Sequence, residues 1–349
     1  MTEPLTIALD AMGGDAAPAV VVKGAAIARI RFPSVRYLLF GDERKIRPLL
    51  KRKPKLRKLV SLVHTDKTVL NDAKPSIALR QGRGSSMWEA IESVHEGRAA
   101  AVVSAGNTGA LMGMAKLILG TLPGIDRPAI AAFFPTMRGE SVMLDLGANV
   151  ECDATNLVQF AVMGEVFART VLGLQQPTIG LLNVGEEPVK GREAVRAAST
   201  TLRDTRLPIK FKGFVEGDDI AAGTVDVIVT DGFTGNIALK TAEGTARLLR
   251  EFVRQAFKSS FLARLGFLMA RRALRKMQVR TDPRRYNGAM FLGLNGIAVK
   301  SHGAADALGF ANAIGVAIDL AAGGFNDRIR EEFLRLSDNQ EDKPQAAAG

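Results

Sequence analysis

The sequence predicts an α/β fold in which helices cover a mostly parallel β-sheet, and three observations support this prediction. Five short apolar runs, typical of buried strands, stop at loops rich in Gly, Asn, Asp, Ser or Thr. Helix-like stretches follow most of these loops, and this alternation is typical of parallel sheets. The 349 residues, 47% of them apolar, are enough for one large core. We therefore expect the polar loops at the carboxyl ends of the strands, gathered into one phosphate-binding site.

Hydrophobic periodicity and turn residues assign the elements in chain order. The first half is predicted to contain a strand at 5–10, a helix at 17–31, strands at 37–40 and 58–63 around a helix at 43–53, a helix capped by Ser85, and a βα unit at 100–120. The second half is predicted to contain a hairpin at 129–145, a helix at 153–172, βα units at 177–203 and 225–257, and a helix at 304–322. The hairpin would give the sheet an antiparallel portion. We interpret residues 1–336 as a single catalytic domain with a basic helical excursion at about 250–285, and 337–349 as a disordered tail.

Several classes of chemistry are excluded because their motifs do not occur. The sequence has no G-x-x-x-x-G-K-[ST], G-x-S-x-G, C-x-x-C or H-E-x-x-H pattern. Its three His residues are far apart in the sequence, so we predict neither a metal site nor a cofactor. A single cysteine, Cys152, fits a reducing compartment, and no apolar run reaches the roughly 18 residues of a membrane span. These features favour a cytoplasmic location.

Two basic segments account for the net charge of +11. Residues 44–58 contain nine Lys or Arg and no acid, and residues 250–285 contain eleven Lys or Arg against two acids. In the second segment, apolar side chains recur at helical spacing among the cations, and we predict that they face a membrane: Phe257, Phe261, Leu262, Leu265 and Leu268. The alternative is a dimer interface or a core helix hairpin.

The polar loops carry a resemblance to a known family. The matching blocks are Asp10–Asp15, Ser85–Met87, Ser104–Ala110, Leu144–Asn149, Leu182–Glu186, Lys190–Gly191, Asp231–Asn236, Tyr286–Ala289 and Lys300–Gly303. Together they closely resemble the PlsX family of bacterial phosphate acyltransferases, over about residues 5–320. Ala16 stands where many family members have His, so that position receives no catalytic role.

The resemblance implies an activity, a fold and a set of partners. Family members convert acyl-(acyl-carrier-protein) and inorganic phosphate into acyl phosphate for phospholipid synthesis. Their fold is a three-layer α/β/α sandwich similar to phosphotransacetylases and isocitrate-dehydrogenase-like enzymes, usually as a homodimer. They associate peripherally with the membrane, near the integral acyltransferase that consumes acyl phosphate. The resemblance therefore implies acyl carrier protein, inorganic phosphate, a membrane surface and that acyltransferase as partners.

In such a reaction the site must hold a phosphate dianion and stabilise a tetrahedral oxyanion, which suits neutral amides, backbone N–H groups and one Lys. We predict Lys190 as a phosphate clamp, Asn236 and Asn107 as oxyanion or phosphate donors, and His302 as an acid for the leaving thiol. Further predicted phosphate or substrate contacts are Gly106, Thr108, Gly109, Asn183, Asp231, Thr234 and Gly235. Structural alternatives remain open: a surface Lys–Glu pair, Asn in turns, Thr and Asp as helix caps, and a His bonded to a backbone carbonyl.

The basic residues Arg52, Lys53, Arg271 and Arg272 are predicted to dock the acidic carrier protein. A second enzyme hypothesis keeps the fold but uses acyl-CoA, as a phosphotransacetylase does. A different class, a basic nucleic-acid-binding or lipid-surface protein, also fits the sequence pI of about 9.9. The sequence lacks the interleaved aromatics and recognisable modules of nucleic-acid-binding proteins, so we predict no nucleic acid partner.

Overall fold

The computed structural model describes residues 4–204, 209–280, 282, 284 and 286–341, and within them the chain builds one β-sheet of eleven strands. The strands are β1 (Thr6–Asp10), β2 (Arg36–Gly41), β3 (Val60–His64), β4 (Ala101–Ser104), β5 (Ala129–Pro135), β6 (Glu140–Leu144), β7 (Thr178–Leu182), β8 (Lys210–Val215), β9 (Val227–Val229), β10 (Ala289–Leu292) and β11 (Ile297–Lys300). Their order across the sheet is β3-β2-β1-β4-β11-β10-β5-β6-β9-β7-β8.

Thirteen helices surround this sheet within the same described residues. They are α1 (Ala19–Arg31), α2 (Glu43–Lys51), α3 (Pro54–Arg57), α4 (Pro75–Gln81), α5 (Ser86–His95), α6 (Thr108–Leu119), α7 (Ala154–Leu172), α8 (Glu193–Asp204), α9 (Gly217–Ala222), α10 (Gly232–Lys258), α11 (Phe261–Arg280), α12 (Ala307–Ala322) and α13 (Phe325–Glu341). Side-chain caps fix where several of them begin. Ser85 accepts a hydrogen bond from the Trp88 N–H, as predicted, and Asp153 and Asp306 cap α7 and α12 in the same way.

Two apolar layers hold the helices on the sheet. Successive strand residues point to opposite faces, so Ile7 and Leu9 belong to one layer and Ala8 to the other. The first layer includes side chains of α1, α7, α8, α12 and α13, and the second includes those of α4, α5 and α6. The fold is therefore the predicted three-layer α/β/α sandwich.

The sheet consists of two parallel halves that run in opposite directions. Strands β1, β2, β3, β4 and β11 pair in parallel, and so do β6, β7, β8 and β9. Between the halves, β10 pairs antiparallel with β11 and β5, and β5 pairs antiparallel with β6. The β5–β6 pair confirms the predicted hairpin. Three successive antiparallel steps reverse the direction, so the strands of one half end where those of the other half begin.

The basic excursion corresponds to the end of α10 and to α11. The Phe257 and Phe267 rings lie 5.3 Å apart and join the two helices, whereas Phe261 and Leu262 are 80% and 77% exposed. Within the described residues no single helix is long and apolar enough to cross a membrane, and α12 with α13 passes that test only as a pair bent by 53°. Helix α13 extends to Glu341 in the segment predicted to be a tail, and residues 342–349 lie outside the described residues.

Candidate functional site

The predicted site residues form two clusters at opposite edges of the sheet. We call the edge where β1, β4 and β11 end the first edge, and the edge where β6, β7 and β9 end the second edge. The first edge carries the loops that contain Asn107 and His302, and the second carries those that contain Lys190 and Asn236. The expectation that all polar loops gather at one edge of this chain is therefore wrong. The two clusters are separated because the strand direction reverses through β10 and β5.

The first edge is organised around the buried carboxylate of Asp10. Its two oxygens accept hydrogen bonds from the Ser86 hydroxyl at 2.7 Å, the Ser104 hydroxyl at 2.6 Å and the Met12 N–H at 3.2 Å. The Ser104 hydroxyl in turn accepts the Gly106 N–H at 3.0 Å. Burial raises the pKa of Asp10, and the hydrogen bonds from Ser104 and Ser86 oppose that rise. Two distant segments and the loop after β1 are thus fixed to one carboxyl group.

Lys300, the last residue of β11, lies at the same edge and is only 9% exposed. Its Nζ donates to the Ser301 carbonyl and, at 3.4 Å, to the Ala105 carbonyl. Burial lowers the pKa of Lys300 to about 8, and the nearby charges of Asp10 and Asp15 oppose this decrease. A strand-terminal Lys is usually solvated, so the sequence analysis missed this residue. Lys300 could have been found from the sequence because it ends the apolar run of β11 and belongs to one of the blocks that resemble the PlsX family.

The side chain of Asn107 is fully engaged in local structure. Its Oδ1 caps α6 by accepting the Ala110 N–H at 2.9 Å, and its Nδ2 donates to the carbonyls of Asn71 and Ala73 at 2.8 and 3.0 Å. Both amide hydrogens are therefore used. Thr108, at the start of α6, is exposed.

The glycines near Asn107 are needed for close packing. A Cβ on Gly106 would lie 2.5 Å from Met87, and one on Gly109 would lie 2.6 Å from Pro75. His302 is exposed, and its Nδ1 accepts the Ala304 N–H at 3.2 Å.

The second edge is organised around a different buried carboxylate, Asp145. It accepts backbone N–H groups from Ile130 at 2.9 Å, Ala148 at 3.0 Å and Asn149 at 2.7 Å. Burial raises the pKa of Asp145, and these hydrogen bonds oppose the rise. The pKa of nearby Cys152 is raised to about 12, first by burial and then by the Asp145 charge. Cys152 is therefore a thiol at neutral pH and a poor nucleophile.

Helix α10 begins directly against the Asp145 turn. Asp231 caps it by accepting the Thr234 N–H at 2.8 Å, and the Thr234 hydroxyl also donates to Asp231 at 3.0 Å. A Cβ on Gly235 would lie 1.9 Å from the Asp145 carbonyl oxygen, so only glycine allows this approach. Asn236 is exposed, and its side chain makes no recorded hydrogen bond to the described residues. Its Nδ2 is the nearest atom to the Cβ position of Gly147, at 3.3 Å.

The loop after β7 brings two cations, Lys190 and Arg192, to the second edge, and each is paired with a carboxylate. Asn183 holds the loop by donating to the carbonyls of Gly185 at 3.0 Å and Lys190 at 3.1 Å. Lys190 forms an ion pair with Glu187 at 2.8 Å, and both side chains are about half exposed. This pairing raises the pKa of Lys190. Arg192 reaches Asp231 at 3.4 Å and connects the loop to α10. Arg192 was not among the predicted residues.

The surface residues lie away from both clusters. Leu265 and Leu268 on α11 are 48% and 62% exposed, like Phe261 and Leu262, while Phe257 is half-buried against Phe267. The basic residues Arg52, Lys53, Arg271 and Arg272 are all exposed. The first pair follows α2 in the first half of the sandwich, and the second pair lies on α11.

The fold is that of the phosphotransacetylases. A phosphotransacetylase from Streptococcus pyogenes superposes with a TM-score of 0.60 at 18% identity, covering 92% of this chain and 95% of the other. A phosphotransacetylase from Staphylococcus aureus gives a TM-score of 0.58 at 17% identity, covering 91% and 94%. At these identities the likeness defines the class of fold alone.

Sequence comparison defines the family. A family model described as "Fatty acid synthesis protein" matches residues 5–328. The phosphate acyltransferase of Paramagnetospirillum magneticum is 63% identical over 349 residues, covering 100% of this chain and 99% of the relative. That of Rhodospirillum centenum is 67% identical over 336 residues, covering 96% and 95%. The chain belongs to the phosphate acyltransferase family and is an acyl-transferring enzyme, which confirms the resemblance.

Proposed function

We propose that the enzyme transfers an acyl group from acyl carrier protein to inorganic phosphate and so makes acyl phosphate for phospholipid synthesis. Family membership supports the acyl transfer. The observation that supports a reaction site at the second edge is the free amide of Asn236 at the start of α10. A free donor at a helix N-terminus favours bound or developing negative charge. Lys190 and Arg192 add positive charge at the same edge.

The reaction needs no covalent enzyme intermediate. A phosphate oxygen attacks the thioester carbonyl carbon, the C–O bond forms, and the C–S bond breaks to release a thiolate that takes up a proton. Asn236 and the α10 N-terminus stabilise the oxyanion or the phosphate, while Lys190 exchanges its Glu187 partner for the phosphate. His302 lies at the first edge, so it protonates the thiol only where a second chain of the proposed homodimer brings that edge to the site.

The decisive experiment mixes the purified enzyme with inorganic phosphate and a long-chain acyl-(acyl-carrier-protein), then traps acyl phosphate with hydroxylamine. Hydroxamate formation that depends on both phosphate and enzyme supports the proposal. The phosphotransacetylase fold favours one alternative, acyl-CoA as the donor. Comparing the two donors at equal acyl length decides between them, and a higher kcat/KM with acyl-CoA would favour the alternative.

We also propose that α11 binds the cytoplasmic face of the membrane peripherally, near the integral acyltransferase that uses the product. The exposed apolar side chains of α11 support this assignment, since helices with apolar residues among cations bind anionic lipid. Leu265→Glu should reduce flotation with anionic vesicles. Leu117→Glu, at a 64% exposed site on α6, is the matched control. Equal flotation of both variants and the unmodified enzyme would exclude the helix as the membrane contact.

A further inference from the structure

Lys300 is a buried charged residue for which the proposed reaction gives no role. It ends β11 at the first edge, and its Nζ donates to the carbonyls of Ala105 and Ser301. Ala105 belongs to the loop that leads from β4 into α6, and Ser301 begins the loop that leads to His302. One amino group therefore joins two loops that are almost 200 residues apart in the sequence.

Neighbouring contacts give this junction a defined geometry. Asp10 holds the β4 end through Ser104, while the Asp15 N–H donates to the Gly303 carbonyl at 2.9 Å. The Asn287 side chain donates to the Ser301 hydroxyl and accepts the His302 N–H, both at 2.8 Å. Lys300 is the cation in this network, and it has two carboxylates, Asp10 and Asp15, as its charged neighbours.

We propose that Lys300 is a positioning residue that locks the loops after β4 and β11 to each other at the first edge. The inference rests on the proposed function in one respect, that the first edge, with His302, meets the reaction site of a second chain in the proposed homodimer. Removing the amino group leaves the buried carbonyls of Ala105 and Ser301 without this donor. Buried groups that lose their partners are costly, so the loops would open to water.

The protonation of the Lys300 amino group provides a way to detect this junction by its pH dependence. Burial lowers the pKa of Lys300 to about 8, below that of a solvated Lys, so opening the loops takes up a proton. Raising the pH from about 8 towards 10.5, the ordinary pKa of Lys, therefore favours the form in which the two loops are closed. The charged groups that act on the ammonium are Asp10 from β1 and Asp15 from the following loop. A neutral amine still has two N–H donors for its two carbonyl acceptors.

Hydrogen exchange tests the junction directly. In Lys300→Met at pH 7 we expect protection of the amides of 104–110 and 301–304 to fall by about tenfold or more, with β7 and β9 unchanged. In the unmodified enzyme, protection corrected for intrinsic exchange should rise about tenfold between pH 8 and pH 9.5, and this rise should be absent in Lys300→Met. Lys300→Arg should partly restore protection at pH 7. Lys116→Met, at an exposed site on α6, is the matched control.

Kinetics then separate this inference from the proposed function. Lys300→Met should raise KM for phosphate or thioester by about tenfold or more and Lys300→Arg by less, while Lys116→Met should leave both unchanged. An inactive unmodified enzyme would remove the proposed function but leave the exchange result valid. Unchanged loop protection in Lys300→Met, or an unmodified enzyme without the alkaline rise, would overturn the inference. The alkaline rise is measured on the unmodified enzyme. It therefore tests the inference even if the Lys300→Met variant does not fold.

Discussion

The two edges of the sheet are built alike but leave their polar groups in different states. Each has a buried carboxylate at a strand end, Asp10 on the first edge and Asp145 on the second, and each holds the start of a helix nearby. At the first edge the amide of Asn107 is used in local hydrogen bonds. At the second edge Asn236 is exposed, and its side chain makes no hydrogen bond to the described residues.

This difference separates structural from chemical roles for the same residue type. An amide with both hydrogens engaged must break local structure before it can bind substrate, whereas a free amide only exchanges water for substrate. We therefore propose that the second edge binds the oxyanion or the phosphate, and that Asn107 and Lys300 support the neighbouring loops. Each of the following changes tests that division.

The largest effect is expected for Asn236→Ala. Loss of one oxyanion donor typically lowers kcat by about 10²–10³, which is about 2.7–4 kcal/mol. The free energy of unfolding should stay the same because the side chain is exposed. Steady-state kinetics with acyl carrier protein thioester and phosphate, together with urea unfolding, provide the check. Near-normal turnover in a well-folded variant would place the reaction away from this residue.

Gly235→Ala should come next, because its Cβ would lie 1.9 Å from the Asp145 carbonyl oxygen. We expect a loss of about 3 kcal/mol in the free energy of unfolding, and a displaced start of α10. Gly244→Ala in the same helix is the control. No atom lies within 4 Å of its added Cβ, so it should stabilise the protein by up to about 1 kcal/mol. Equal stabilities for the two variants would contradict the tight approach of α10 to the Asp145 turn.

Local patterns in the sequence predicted much of the fold. Apolar runs followed by glycine loops gave the βα units, and the turn at Pro135–Gly139 gave the β5–β6 hairpin. The structure adds a second hairpin, β10–β11, just before the predicted helix at 304–322. The order of the strands depends on packing between segments far apart in the chain. Local patterns therefore did not reveal that the two hairpins reverse the strand direction between the halves of the sheet.

The site was harder to predict than the fold, for a related reason. Asn107 and Asn236 both follow apolar runs in glycine-containing loops, and the sequence does not distinguish them. Their difference arises from Asn71 and Ala73, whose carbonyls reach Asn107 from a segment over 30 residues earlier. The surroundings of Lys300 likewise come from far along the chain, since its Nζ donates to the carbonyl of Ala105, 195 residues earlier.

Asn107→Ala tests the supporting role of the first edge with a smaller effect. Loss of the α6 cap should lower the free energy of unfolding by about 1–2 kcal/mol. Turnover per folded molecule should change little, in contrast to Asn236→Ala. Thermal unfolding and kinetics under conditions where the variant is fully folded give both quantities. A fall of about 10² in kcat without loss of stability would instead give Asn107 the catalytic role that the sequence predicted.

The smallest effect is expected for charge reversal on the two basic surfaces, and it asks which surface the carrier protein approaches. Arg52 and Lys53 lie between α2 and α3, before the beginning of β3, whereas Arg271 and Arg272 lie on α11, which follows the helix that begins at the second edge. Exposed charge pairs contribute about 0.2–1 kcal/mol, so reversing the docking pair should raise KM for the carrier-bound thioester about two- to fivefold.

The same reversal should leave KM for phosphate unchanged, and the effect should shrink in high salt because exposed charges are screened. We expect the Arg52→Glu and Lys53→Glu double variant to show it, since the apolar side chains of α11 suit lipid instead. An effect of the Arg271→Glu and Arg272→Glu double variant alone would move carrier docking to α11. The carrier protein and the membrane would then compete for one helix, and vesicles should inhibit turnover.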